Sequence, residues 1–450
     1  MNLFLPSNTF TPESKTTPND AQRARGARGA IRGGIFGNYV DQFDIFLPVI
    51  ALAPAAAHLY GIENLARNAG LIFIATLIGR PLGSAIFGPI SDRIGRTAAT
   101  KIAILGVAIT TLLIACIPGS MGTLTLFSIL GLRLAGGIFI GGEYTSAIPL
   151  AMEWTSPPRR GLVSGFIMWM SPWANATIAA LVLILLKILS PTQYATWGWR
   201  IPFLLGALMA FVMLAYFRAY VTDSPAWTAS AKNESPLKNI FIGSNRRSLL
   251  QVIILMSGMW IFTYMSVAVL SGQLKAQTHF NYQDVALTMM FATGASAISM
   301  VVCGQLSTSI GRRKFFIIFG ISSTILAPLT YLEIFQGHAL ASTVILVAVL
   351  QVVTVSVYGP VAAYLTERFP TAVRSSGYGM AYSVSIVIPA LYPYYLPPLQ
   401  RIFGNHGAIE MLLGIAGVLV AVGASIGPET FTIDAPDAHT VRTRALLSKF

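Results

Sequence analysis

Five ionisable side chains interrupt long apolar runs in this 450-residue chain. Asp41 and Asp44 lie in GNYVDQFDIFLPVI (37–50), Arg80 in LIGRPLGSAIFG (77–88), and Arg133 and Glu143 in RLAGGIFIGGEY (133–144). A carboxyl in such a setting can take up and release a proton. A guanidinium there offers a planar fork of five donors that matches a carboxylate. An arginine at the centre of an apolar helix costs roughly 2.5–3.5 kcal/mol on insertion scales, so these residues are expected to face partners or a polar cavity. A second cluster is densely charged: ISDRIGRTAATK (90–101) packs Asp92, Arg93, Arg96 and Lys101 into ten residues.

The elements that position these groups follow from composition. Hydrophobic residues make up 54% of the chain and charged residues only 10%, whereas soluble domains carry about 25% charged residues. Lipid is therefore the expected solvent. Apolar runs near the 20-residue length that spans a bilayer as helix recur along the sequence. Spans are expected near 33–59, 69–90, 98–117, 122–149, 160–187, 198–218, 249–273, 285–308, 314–335, 340–366, 374–398 and 407–428.

This makes an all-α membrane protein of about twelve transmembrane helices. A polar tail (1–32) precedes a six-helix bundle (33–218), a central loop (219–248) leads to a second bundle (249–428), and a tail (429–450) follows. Lysine and arginine fix the orientation. With both termini on the inner side, 23 basic residues lie inside and five outside, so the termini are expected to be cytoplasmic. The net charge of +13 is accounted for by these clusters and needs no nucleic acid partner. Cys116 and Cys303 sit in apolar runs as small fillers, and the five histidines show no metal-ligand spacing.

The two halves repeat. ISDRIGR (90–96) and LSTSIGR (306–312) match at an offset of 216, and Glu153 and Arg160 match Glu367 and Arg374 at an offset of 214. Two loops recurring in corresponding places are what two six-helix halves related by a parallel repeat produce.

The stretch Gly88-Pro-Ile-Ser-Asp92-Arg93-Ile-Gly95-Arg96 resembles the helix 2–helix 3 signature of the major facilitator superfamily. RPLGSAIFGPISDRIGR (80–96), RLAGGIFIGGEY, WGWRIPFLLG (197–206) and ERFPTAVRSSG (367–377) together resemble its metabolite:H+ symporter branch, over about 30–430. That branch holds proton-coupled transporters of α-ketoglutarate, citrate, proline/betaine and shikimate. The chain departs from it at two places near the expected cavity. Asp41 stands where the branch tends to carry glutamate, and Gly136 stands where it carries glutamine.

The resemblance implies that helices 1 and 4 face each other. Asp44 and Arg133 each lie about eleven residues into their helices, roughly 16 Å deep at 1.5 Å per residue. They form the expected proton-coupling pair, with Asp41 beside them. A permanent structural ion pair is the alternative. Arg80 is expected either to bind substrate, with Arg133, or to pack between helices 2 and 11 on carbonyls freed by Pro81. Two arginines against one or two aspartates favour an organic anion or a zwitterion. The aromatics Trp169, Trp173, Tyr358 and Tyr392 are candidate cavity-lining residues, and Tyr264 and Tyr382 are further aromatics in the apolar runs.

The resemblance also assigns Gly88, Asp92, Arg93, Gly95 and Arg96 to a cytoplasmic gate that latches the inner face. Its counterpart in the second half carries Thr308 and Ser309 where Asp-Arg would stand, so the latch rests on Asp92. Glu143 is expected to contact this knot, with direct proton carriage as the alternative, and Glu153, Arg160, Glu367 and Arg374 to form charge networks between helix ends.

The function these readings favour is secondary active transport. It would be proton-coupled uptake of a small organic acid or zwitterion across the inner membrane, by a monomer, with protons as the driving partner and no cofactor. No GxxxxGK[ST] nucleotide-binding loop is present in the sequence. The alternative is a proton-antiporting exporter of drugs or metabolites. SGFIMWMSPWANATIAAL (164–181) lacks the proline-glycine signature of such exporters. A membrane sensor or scaffold would need a large soluble domain, and the polar segments are short.

Overall fold

A computed structural model describes residues 18–61, 65–119, 122–230, 234–278 and 280–431. All regular structure among them is helical. The main helices are α1 (Pro18–Ala51), α2 (Leu65–Ile94), α3 (Arg96–Cys116), α4 (Thr123–Trp154) and α5 (Arg160–Met168, continuing as Met170–Ile188). They continue with α6 (Arg200–Tyr220), α7 (Gly243–Thr263), α8 (Tyr282–Ile310) and α9 (Arg312–Ile334). The last are α10 (Leu340–Val355, then Val361–Glu367), α11 (Arg374–Val384, Val387–Ala390 and Tyr392–Phe403) and α12 (Asn405–Ser425).

Eleven segments among the described residues are long and apolar enough to cross a membrane. The expected twelfth, at 374–398, is present but broken. Its sequence IPALYPYYLPP places Pro389, Pro393, Pro397 and Pro398 within ten residues, and each proline removes a backbone donor and fixes φ. The result is three short helices, the last starting with Pro393 in its first turn, where a missing N–H costs nothing.

The first helix starts at Pro18, not near 33. QRARGARGAIRGG has no strong apolar stripe, but tertiary contact holds it helical. Gly29 passes against the Tyr220 carbonyl and Gly26 against the Trp154 ring. The central segment is likewise ordered in part, with short helices Pro225–Thr228 and Pro236–Ile240. The tails 1–17 and 432–450 lie outside the described residues.

Outward faces are apolar. On α9, Ile318, Ile321, Ile325 and Leu329 are all exposed at the three-to-four spacing of one helix face. Such a stripe suits hydrocarbon.

The most extensive contact between helices joins α2 to α4. Two Gly-x-x-x-Gly stretches meet there, Gly79/Gly83 and Gly137/Gly141. A Cβ on Gly83 would collide with the Ile138 carbonyl, one on Gly137 with Thr76, and one on Gly141 with the Arg80 backbone. Helices in lipid gain association from close backbone packing, which only small residues permit. This seam sets the height of Arg80 against Arg133 and Glu143.

The seam predicts that Gly137→Val destabilises the protein at or above the upper end of the roughly 1–3 kcal/mol seen for overpacking, since the obstacle is backbone. Gly131→Val has open space around it and is expected to leave the thermal midpoint in detergent unchanged. Equal midpoints for the two variants would refute the seam.

Candidate functional site

The site has two tiers along the helix axes. One tier, at the centre, holds the five buried ionisable groups. Asp41, Asp44, Arg80, Arg133 and Glu143 are all at most 2% exposed.

Asp44 and Arg133 meet as the sequence led us to expect. The guanidinium of Arg133 donates to both carboxylate oxygens, at 3.0 and 3.1 Å, and to the Asp44 carbonyl at 2.8 Å. The Thr111 hydroxyl donates to the same carboxylate. This is a forked, charge-assisted pair with a third donor from α3.

Arg80 is different. Its Nε and Nη2 have no hydrogen-bond partner, and no carboxylate forms an ion pair with it among the described residues. These two nitrogens therefore reach no carbonyl around Pro81. Instead the guanidinium lies over two tyrosine rings, 5.4 Å from Tyr144 on α4 and 5.3 Å from Tyr382 on α11. Those rings open a larger aromatic cluster that bridges the two bundles. Tyr378 and Tyr382 flank Tyr144, Trp260 touches Tyr382 and Tyr358, and Tyr264 touches Tyr392. Tyr358 and Tyr392 therefore share the cluster beside Arg80.

Trp169 and Trp173 form a separate edge-to-face row with Phe166 on α5, and Trp173 is half exposed. Among the described residues, neither ring packs against the tyrosines.

The cluster sits where helices are irregular. Tyr264 opens a π-helical turn, Tyr358 ends a 3₁₀ turn before Gly359-Pro360, and α11 breaks just after Tyr382. Interrupted helices near the membrane midplane are where transporters build their sites.

Glu143 is not at the knot. It lies against Gly37 and within hydrogen-bonding reach of the Asp41 carboxyl. The reason is the lean of helical side chains toward the N-terminus of their own helix. Along α4 that direction leads back to Arg133, away from Glu153 at the far end.

The second tier is the charge knot, which closes the two bundles on one face. Asp92 accepts hydrogen bonds from the Ser375 and Ser376 amides, at 3.1 and 2.9 Å, and from the Ser376 hydroxyl at 2.7 Å. An anion of the first bundle thus sits at the N-terminus of α11 in the second, where the free amides and the helix dipole favour it. Gly88 permits the approach, since a Cβ there would meet Ser376. Arg96 pairs with Asp92 and Glu153, both at 3.2 Å, and donates to the Thr371 carbonyl at 2.7 Å. Arg374 reaches the same Glu153 at 2.9 Å. Arg93 points out to the surface and forms no ion pair among the described residues.

The second half repeats this device in weaker form. Arg312 pairs with Glu367 at 3.3 Å, and Arg160 crosses to Glu367 at 3.9 Å. Thr308 stands in the place of Asp92 and only accepts a hydrogen bond from Arg312. So α5 receives no anion at its N-terminus corresponding to the one α11 receives.

Two acids not singled out from the sequence complete the symmetry. Asp223, after α6, accepts from the Thr97 amide at the start of α3. Glu429, after α12, accepts from the Arg312 and Arg313 amides at the start of α9. Gly95 and Gly311 precede those helices with φ of 120° and 97°, a region that glycine adopts readily. A Cβ on either would meet the capping acid at 2.5 or 2.6 Å. Tyr144, Tyr378 and Trp260 were also not singled out. Spacing offered a signal, since Tyr378/Tyr382 and Trp260/Tyr264 are each four apart.

Comparison with known proteins agrees with this geometry. Residues 35–393 match the family model described as Major Facilitator Superfamily. The chain is 28% identical over 445 residues to the inner membrane metabolite transport protein YhjE of Escherichia coli, covering 94% of this chain and 98% of that protein. It is 29% identical to the alpha-ketoglutarate permease of Escherichia coli, covering 85% and 89%. Its fold is similar to a solved structure of the proton:xylose symporter XylE bound to 6-bromo-6-deoxy-D-glucose, with a TM-score of 0.72 at 17% identity, covering 92% and 97%.

The knot predicts an order of costs. Glu153→Gln leaves the fully buried Arg96 without its second carboxylate and Arg374 without any, and is expected to cost about 3–5 kcal/mol. Asp223→Asn weakens only a helix cap, expected at about 1 kcal/mol. Thermal midpoints of the purified variants in detergent check this, and a larger drop for Asp223→Asn would contradict it.

Proposed function

The chain belongs to the major facilitator superfamily, as a multi-pass membrane transport protein and not an enzyme, and from that premise we propose that it imports a small organic acid together with protons. The observation that carries this reading is Arg80. A desolvated guanidinium with two unpartnered nitrogens is costly where it stands. Cation–π contact with Tyr144 and Tyr382 offsets only about 0.5–2 kcal/mol. A substrate carboxylate would supply the missing acceptors as a fork-to-fork pair.

Arg80 stands where both bundles contribute walls: α2 and α4 from the first, α7, α10 and α11 from the second. A ligand there touches both halves, which suits alternating access by rocking about a midplane site. The tyrosine hydroxyls suit a second polar group, and the rings suit a flat or zwitterionic body. The alpha-ketoglutarate permease among the relatives supports a carboxylate cargo.

In this reading the knot is the cytoplasmic gate, closed here, and the membrane is the inner membrane. Breaking Asp92 away from α11 opens that face. Asp44–Arg133, with its forked geometry and the added Thr111 donor, then serves as the fixed anchor between α1 and α4. Protonating Asp44 would have to displace three donors.

Purified protein in liposomes with an internal pH-sensitive dye tests the proposal, with α-ketoglutarate, citrate, benzoate or glycine betaine added outside. Internal acidification with one of them is expected. Arg80→Ala is expected to weaken the apparent affinity for that acid roughly 30-fold or more, the equivalent of about 2 kcal/mol. Arg80→Lys, which lacks the fork, should not restore it. Internal alkalinisation would indicate antiport, and an unchanged affinity in Arg80→Ala would remove Arg80 from the substrate site.

A further inference from the structure

Among the described residues, Asp41 and Glu143 form the least satisfied group of buried carboxyl acceptors. Oδ1 of Asp41 and both carboxyl oxygens of Glu143 have no hydrogen-bond donor. Neither residue forms an ion pair among the described residues, yet both are buried and their carboxyls approach one another. An ionised carboxylate is an acceptor only. Two of them facing each other, with no cation bound to either, would repel at close range in a medium of low dielectric. A carboxyl facing a carboxylate needs one proton to become a hydrogen bond, as in paired acids that share a site.

We infer that Asp41 and Glu143 are a second titratable site, a carboxyl pair that holds the transported proton between α1 and α4. This rests on the reading of proton-coupled import above, and it assigns the proton to this pair and not to Asp44. The two aspartates lie one turn apart and differ in donors. Asp44 has two guanidinium contacts and a hydroxyl; the Asp41–Glu143 pair has only itself.

The surrounding groups give the pair a link to substrate. Asp44 faces it from α1, Arg80 from α2, Arg133 stands on α4 beyond Asp44, and Tyr382 approaches from α11. One turn before Asp41, a Cβ on Gly37 would meet Met213 of α6, and one on Gly34 would meet Ile167 of α5; neither side chain titrates. Arg80 therefore bears on both events. With the substrate site empty, its positive charge acts on Asp41 and favours release of the proton to water. With a substrate carboxylate on Arg80, that charge is neutralised and the pair keeps its proton. Binding of the anion and of the proton thus reinforce each other, by equal factors in both directions.

Gly37 is part of this arrangement. A Cβ there would stand 3.1 Å from Glu143 Oε1, so a side chain at 37 would push the carboxyl off its partner.

Two measurements test the inference. The first is infrared spectroscopy of the purified protein near neutral pH, following the deuterium-sensitive carbonyl stretch of protonated carboxyls. The band is expected in the wild type and in Asp44→Asn, and it should be lost from Asp41→Asn/Glu143→Gln. The second is the liposome dye assay with the acid that drives the wild type. The double variant is expected to lose at least tenfold of the acidification, and Asp41→Glu, which keeps a carboxyl, to restore it. Retention of the amide helix band in each variant separates loss of the pair from loss of the fold. A band that survives in the double variant, or acidification equal to wild type, overturns the pair while leaving import intact. A wild type that acidifies with none of the acids, yet shows the band, overturns the import reading and leaves the pair as a proton-binding site.

Discussion

The burial of charge constrains this protein more than any other single requirement. Five ionisable groups lie at its centre, and each is desolvated by helices that were brought close through glycine. A carboxylate or guanidinium in that setting needs an opposite charge, several donors or a proton. Asp44 and Arg133 meet the requirement between themselves and Thr111. Arg80 meets it only in part, through the faces of Tyr144 and Tyr382. Asp41 and Glu143 have only each other. That gradation, from saturated to wanting, is the physical ground on which we propose a structural role for one pair and a working one for the rest.

The same requirement governs the knot. Arg96 and Arg312 are fully buried, and each is matched by a glutamate from the end of a neighbouring helix, Glu153 or Glu367. Each glutamate also receives an arginine from the opposite bundle, Arg374 or Arg160. The closed face is thus held by two related exchanges of charge across the pseudo-symmetric interface. Only one half adds an anion at the N-terminus of a helix in the opposite bundle, Asp92 on α11. The interface of α2 with α11 is therefore electrostatically stronger than that of α5 with α8, which relies on close packing of Gly161, Gly165 and Gly304. A face closed this way has one bond-rich side and one packed side.

Helix irregularity is concentrated where the tyrosines gather. A π turn at Tyr264, a 3₁₀ turn at Tyr358 and the broken α11 expose backbone groups beside a flat aromatic surface. The arrangement keeps the backbone adaptable in the second bundle and leaves the first, with its glycine seam, as the rigid holder of charge.

The sequence by itself determined the class of molecule, the order of its helices and the recurrence of two charged loops at matching places in the two halves. These depend on composition, run length and spacing, which are local. It also determined that Asp44 and Arg133 lie at matching depths. It did not determine the direction in which Glu143 reaches, because that depends on helix rotation and on the lean of the side chain toward Arg133. The helix over residues 18–32 was not legible either, since its stability comes from Tyr220 and Trp154, far away in sequence. Asp223 and Glu429 were hidden for the same reason: a helix cap supplied from a distant loop leaves no local pattern. Only the tertiary structure decided which charges are satisfied and which are not. Satisfaction is a property of neighbours in space, and at a single buried position the choice among an ion pair, an aromatic wall and a shared proton turns on a few ångströms that no spacing rule contains.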